Sequence, residues 1–195
     1  MLSGKGFKKV YNVSGGIKAW QAKVAIGPQT LGMDLFDGTE EPVEVLKIAY
    51  SLELGLREFY IDLGTRATNK KVKDLFSKLS EIEIQHQKSI YTAFLDVSKN
   101  EISLDDFEAM VETKALEGGL STDEYLNLFK PDFDSEIDII SMAMSIEAQA
   151  LDLYQRVGSK INNQVSKDIV NKIANEEKAH LASLGKLLDS IVKGD

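Results

Sequence analysis

The chain has two histidines, and each closes a Glu-x-x-His: EIQH at 83–86 and EKAH at 177–180. The two motifs belong to a longer internal repeat. At an offset of 94 residues Glu53 falls on Glu147, Tyr60 on Tyr154 and Gly64 on Gly158. Lys73, Asp74 and Lys78 fall on Lys167, Asp168 and Lys172, Glu83 on Glu177, and His86 on His180. A chain that repeats itself in this way must fold as two similar units. Hydropathy says what each unit is.

Apolar residues recur at three- and four-residue steps in four long segments, the period of a helix with one buried stripe. The first helix is expected over about 42–64, with Leu46, Ala49, Tyr50, Glu53, Leu56, Tyr60 and Leu63 on the stripe and Gly64 ending it. The second runs over about 69–96, with Val72, Leu75, Leu79, Glu83, His86, Ile90 and Phe94. The third runs over about 135–157, with Ile139, Met142, Ala143, Ile146, Glu147, Ala150, Tyr154 and Val157. The fourth runs over about 164–192, with Ile169, Ile173, Glu177, His180, Leu184 and Leu188. Each unit is therefore a helical hairpin. Residues 97–134 join the two hairpins, and Ser103 before Asp106 and Ser121 before Glu124 have the spacing of helix caps. The expectation is an all-α four-helix bundle with a long crossover between helices two and three.

The stripes carry charge where a core wants none. Glu and His three apart on a helix share a face, so both reach one metal ion. Each hairpin adds one Glu from its first helix. Two packed hairpins then offer four carboxylates and two imidazoles to the interior, the ligand set of a dinuclear iron or manganese centre. Burying a lone carboxylate costs about several kcal/mol, and four together repel one another. Two divalent cations offset four carboxylates. The expected metal ligands, and with them the catalytic residues, are Glu53, Glu83, His86, Glu147, Glu177 and His180. Tyr60 and Tyr154 lie two turns past the single Glu of their hairpin and are candidates to hydrogen-bond a ligand carboxylate of the opposite hairpin. Glu58, Glu81 and Glu176 fall off the stripes and read as solvated.

Composition removes several alternatives. Without a cysteine, disulfides, thiolate-bound zinc, iron–sulfur centres and cysteine nucleophiles are excluded for this chain. A net charge of −8 with no basic stripe argues against a nucleic-acid partner. No apolar run reaches the roughly 18 residues of a membrane span, and MLSGKGFKKV lacks a signal-peptide core, so a cytoplasmic location is expected.

With its ligand spacing in view, the stretch 42–192 resembles the ferritin-like superfamily, most closely its rubrerythrin-like branch; EFY at 58–60 after Glu53 is similar to that branch's first helix. The resemblance implies two iron ions per chain, with manganese or zinc as alternatives, and makes Glu83 and Glu147 candidates to touch both ions, with the bridging roles left open. It implies peroxide or dioxygen as substrate and an external electron-donor protein as partner. A symmetric homo-dimer is expected separately, because a crossover running over a bundle often meets a symmetry mate. The alternatives are a ferroxidase or iron-handling protein, or a redox sensor that holds metal without turnover. Two departures stand out. Rubrerythrins carry a further Glu three residues past the first ligand of helix three, where this chain has Ala150, so the site is closer to the six-ligand bacterioferritin arrangement. They also carry a four-cysteine rubredoxin domain, for which these residues have no counterpart. At the other end, LSGKGFKKVYNVSGGIKAWQ resembles the last strand and helix of a rhodanese domain. The expected organisation is a rhodanese-like remnant at 1–20, a linker at 21–41 and the ferritin-like domain at 42–195, the chain being a fragment of a longer fusion. The rhodanese cysteine loop is not among these residues, so no sulfur transfer is expected from them.

Overall fold

The computed structural model describes residues 31–111 and 119–193. The rhodanese-like stretch at 1–20 and residues 21–30 of the 21–41 linker lie outside them. Six α-helices are present among the described residues, with no strand. They are α1 (Pro42–Arg66), α2 (Lys70–Ser98), α3 (Leu104–Glu108), α4 (Thr122–Phe129), α5 (Glu136–Lys160) and α6 (Gln164–Lys193).

The four long helices are the four expected from periodicity, and their starts have chemical causes. At α1 the Glu41 and Glu44 side chains close a reciprocal capping box around Pro42. Asn69 accepts from the Lys71 N–H to open α2, and Ser135 accepts from the Asp138 N–H to open α5. Both caps foreseen in the crossover form. Ser103 Oγ accepts from the Asp106 N–H, and Ser121 and Glu124 make a full capping box.

The first helix does not stop at Gly64. It continues to Arg66, and Ala67 in extended conformation ends it. Gly64 serves packing instead. A Cβ there would lie 3.3 Å from the Cβ of Phe76, so the missing side chain lets α1 and α2 approach closely.

α1 packs mainly against α2, and α5 against α6; the two hairpins then close on each other. Two apolar clusters result. One gathers Val45, Leu46, Tyr50, Ile90, Phe94, Leu153, Tyr154 and Ile173. The other gathers Leu56, Tyr60, Leu63, Leu75, Phe76, Ile139, Ile146 and Leu184. The crossover contributes one fully buried aromatic to each. Phe107 of α3 meets the ring of Tyr50 edge-on at 4.9 Å and lies 4.4 Å from the ring of Phe94. Tyr125 of α4 is fully buried beside Phe59. The middle turns of the long helices, between the clusters, carry the charged residues of the stripes.

The described end of the linker is built onto the bundle. A short 3-10 turn, Met33–Leu35, leads into Phe36, and Met33 and Phe36 are both buried in the first cluster. The buried Glu40 accepts from the N–H groups of Asp37 and Gly38, and its carbonyl accepts from Ser166 Oγ at 2.9 Å. Arg156 donates to the Leu31 carbonyl at 3.3 Å.

Candidate metal centre

All six expected ligands meet in the bundle interior. Glu53 comes from α1, Glu83 and His86 from α2, Glu147 from α5, and Glu177 and His180 from α6. Their ligand atoms form two groups, Glu53–Glu83–His86 and Glu147–Glu177–His180, each with all atoms within 4.8 Å of one another. The four carboxylates are buried to 1–2% exposure, while the imidazoles sit at the edge. The two rings join the groups: His86 and His180 stack at 3.8 Å with 10° between their planes. The equivalence that the repeat places along the chain is thus an equivalence across one site.

Both imidazoles turn Nδ1 toward the carboxylates. In the first group, His86 Nδ1 lies 3.1 Å from Glu53 Oε2 with hydrogen-bond geometry, and 2.9 Å from Glu83 Oε2. In the second, His180 Nδ1 lies 3.3 Å from Glu177 Oε2 and 3.8 Å from Glu147 Oε2. Burial pulls the His86 imidazole down, but the carboxylates of Glu53 and Glu83 outweigh it and hold it up at about 11. Glu83 is pushed well above the usual carboxylate range, chiefly by burial and also by the charges of Glu53 and Glu147. Glu147 goes the other way. Burial would raise it, yet the neighbouring His180 and Glu177 side chains and the His86 charge hold it below its ordinary value.

This donor set fits a pair of divalent cations. It is oxygen and nitrogen only, which suits iron and manganese. Glu83 Oε2 and Glu147 Oε2 are fully buried, and each turns toward an imidazole, His86 Nδ1 at 2.9 Å and His180 Nδ1 at 3.8 Å, with capacity left for a further partner. A buried oxygen left short of partners costs about 1–3 kcal/mol, and a cation coordinated there removes the cost. These are the two carboxylates singled out as able to touch both ions.

Other expectations are placed as follows. Tyr60 and Tyr154 are fully buried, one in each apolar cluster. Glu58 and Glu81 are exposed, and Glu176 is half-buried in an ion pair with Lys172 at 3.8 Å. Ala150 is buried in the first cluster, so no seventh carboxylate stands one turn past Glu147.

The stripes do not include Arg57 and Gln87. They lie one turn past Glu53 and Glu83, and Arg57 Nη1 donates to Gln87 Oε1 at 3.4 Å. Arg57 Nε and Gln87 Nε2 are buried without a hydrogen-bond partner. The repeat places Leu151 and Leu181 at the related positions, so this polar pair flanks the first triad alone. Their four-residue spacing from two ligands is the signal that finds them in the sequence.

The fold and site together define a ferritin-like helical bundle with two carboxylate–histidine clusters at its centre. A family model described as Rubrerythrin matches residues 44–188, and the chain belongs to the rubrerythrin family. That match begins after residues 1–20, and nothing else supports the rhodanese-like reading of them. Comparison with curated proteins gives no match, and comparison with solved structures gives none. No helix among the described residues is long and apolar enough to cross a membrane.

Proposed function

We propose that this protein is a non-haem di-iron oxidoreductase that reduces hydrogen peroxide or dioxygen with electrons from an external donor. The observation that carries the reading is the convergence of two equivalent carboxylate–histidine triads, joined through the stacked His86 and His180 rings. Family membership supports the choice of iron.

Two bound iron ions would supply the two electrons that, with two protons, take hydrogen peroxide to two waters. The chain does the rest. Glu53, His86, Glu177 and His180 would hold the ions from α1, α2 and α6, and Glu83 of α2 and Glu147 of α5 would reach across between them. Buried walls keep water and reductants away from the oxidant. We assign Tyr60 and Tyr154 to orienting the ligand carboxylates of the facing hairpin. These residues hold no cysteine, so the thiolate centre that would pass electrons in lies on another polypeptide segment or protein.

The test is to load the protein with ferrous iron without oxygen, count metal per chain, then mix with one equivalent of peroxide or dioxygen and follow absorbance. About two irons per chain and faster oxidation by peroxide are expected. Faster oxidation by dioxygen would make the protein a ferroxidase. Slow response to both would make it a metal-holding sensor. No stoichiometric uptake of iron, manganese or zinc would overturn the site.

A further inference from the structure

A cavity of about 110 Å³ opens onto the centre from one side. Glu83, Glu147 and His180 form its floor. Leu79 and Ile82 of α2 face Leu184 and Leu187 of α6 across its mouth, with Ser183 beside them. The repeat shows what is particular about this mouth. Its counterpart over His86 would be built from Ile173, Glu176, Ser89, Ile90 and Ala93. Two substitutions decide the difference. Ile82 stands where the other side has Glu176, and Leu187 where it has Ala93.

Ile82 is 39% exposed, a large apolar side chain held at the surface directly above a set of buried carboxylates. Glu176 on the other side is instead paired with Lys172. The floor agrees with this asymmetry, since the His180 side chain is 23% exposed and that of His86 only 12%. Apolar walls give a hydrated ion nothing in exchange for its water, whereas a small neutral molecule loses far less on entering. With a liquid-water share of about 30 Å³ per molecule, the space takes only a few heavy atoms beyond one oxidant.

We propose that this cavity is the route by which a small uncharged oxidant reaches the metal centre, and that Ile82 and Leu187 set the size it admits. The inference rests on the oxidoreductase reading above.

The cavity itself is tested without turnover. Under xenon pressure, the methyl resonances of Leu79, Ile82, Leu184 and Leu187 should shift saturably, because apolar cavities of this kind bind xenon. The route is tested on the iron-loaded protein. Ser183→Phe should slow oxidation by hydrogen peroxide about tenfold, with iron content and helicity unchanged, and abolish the xenon shifts. Ile82→Ala should raise the rate with cumene hydroperoxide about tenfold relative to that with hydrogen peroxide, the range over which small changes in a pocket discriminate. If Ser183→Phe fails to fold, Ile82→Trp replaces it as the plug. Wild-type oxidation by peroxide that neither plug slows, or xenon shifts confined elsewhere, would overturn the route and leave the functional reading standing. A wild-type protein inert to both oxidants would overturn the functional reading, and the route with it.

Discussion

The two halves of the centre use the same ligands in different surroundings. In the α1–α2 half, His86 is drawn close to two carboxylates, at 3.1 and 2.9 Å, and its side chain is 12% exposed. In the α5–α6 half, His180 stands 3.3 and 3.8 Å from its carboxylates and is more open. Arg57 and Gln87 flank the first half, and the apolar cavity serves the second. A repeat can copy ligands exactly while the residues one turn away tune each copy separately.

Removing the metals is the largest way to disturb this comparison. At a free metal level about a thousand times its dissociation constant, a ligand stabilises the fold by about 4 kcal/mol. Chelation should therefore lower the thermal midpoint sharply by calorimetry, and four-carboxylate repulsion should loosen both halves together.

Single carboxylates should then split the halves by size. In the metal-free protein burial pushes Glu83 toward its neutral form against the pull of His86, so Glu83→Gln should cost less stability than the same change at Glu147. Glu147 is held charged by its neighbours, so Glu147→Gln should cost about 1–3 kcal/mol. In the metal-loaded protein both substitutions should weaken metal binding. A fall in metal-free stability for Glu83→Gln as large as that for Glu147→Gln would erase the distinction.

Next in size is the charge beside the first half. Arg57 lies one helical turn from Glu53. At that range a full charge is worth about 1–3 kcal/mol against a cation at an effective dielectric of about 20. Replacing the pair by the residues of the other half, Arg57→Leu with Gln87→Leu, should tighten zinc at the first half and bring the two zinc affinities together. Isothermal titration reads the change directly.

Acidity gives a further handle. His86 binds its proton more tightly in the folded protein, at about 11 against 6.5. Its contribution is therefore complete below about pH 6.5 and is lost as pH rises through about 11. The raised Glu83 acts in the same direction, and the lowered Glu147 in the opposite one, its contribution being present above 4.5 and lost in acid. The thermal midpoint of metal-free protein should fall as pH rises above about 6.5. Metal uptake should release protons, so apparent affinity should climb with pH.

The smallest effect lies where the halves are tied together. Asp134, just before α5, accepts from the Thr68 and Asn69 N–H groups at 2.9 and 2.7 Å, at the corner between α1 and α2. Those bonds hold its carboxyl below the ordinary value. Asp134→Ala should lower the thermal midpoint slightly at neutral pH. The difference should vanish as pH falls below 3.8, because a lowered carboxylate contributes only while it is charged.

Much of this was legible in the chain. The six ligands needed only a helical period and a repeat, because Glu and His three apart share a face whatever the helix packs against. The caps at Ser103 and Ser121 were legible for the same reason, since their bonds close within four residues. Gly64 was misleading as a helix stop. Nothing local distinguishes a terminating glycine from one that makes room for Phe76 twelve residues on. Met33, Phe36 and Glu40 sit in a stretch without period, and their burial depends on α5 and α6, more than a hundred residues away.

The sequence by itself determined the four long helices, their pairing into two like hairpins and the six carboxylate and imidazole residues that each pair of helices brings together, because those rest on the helical period and the repeat. Only the tertiary structure decided how the hairpins face each other. That facing stacks His86 on His180 and brings Glu83, Glu147 and His180 to the lining of one cavity. These features arise from side chains brought together across the core, where packing between distant residues sets the geometry.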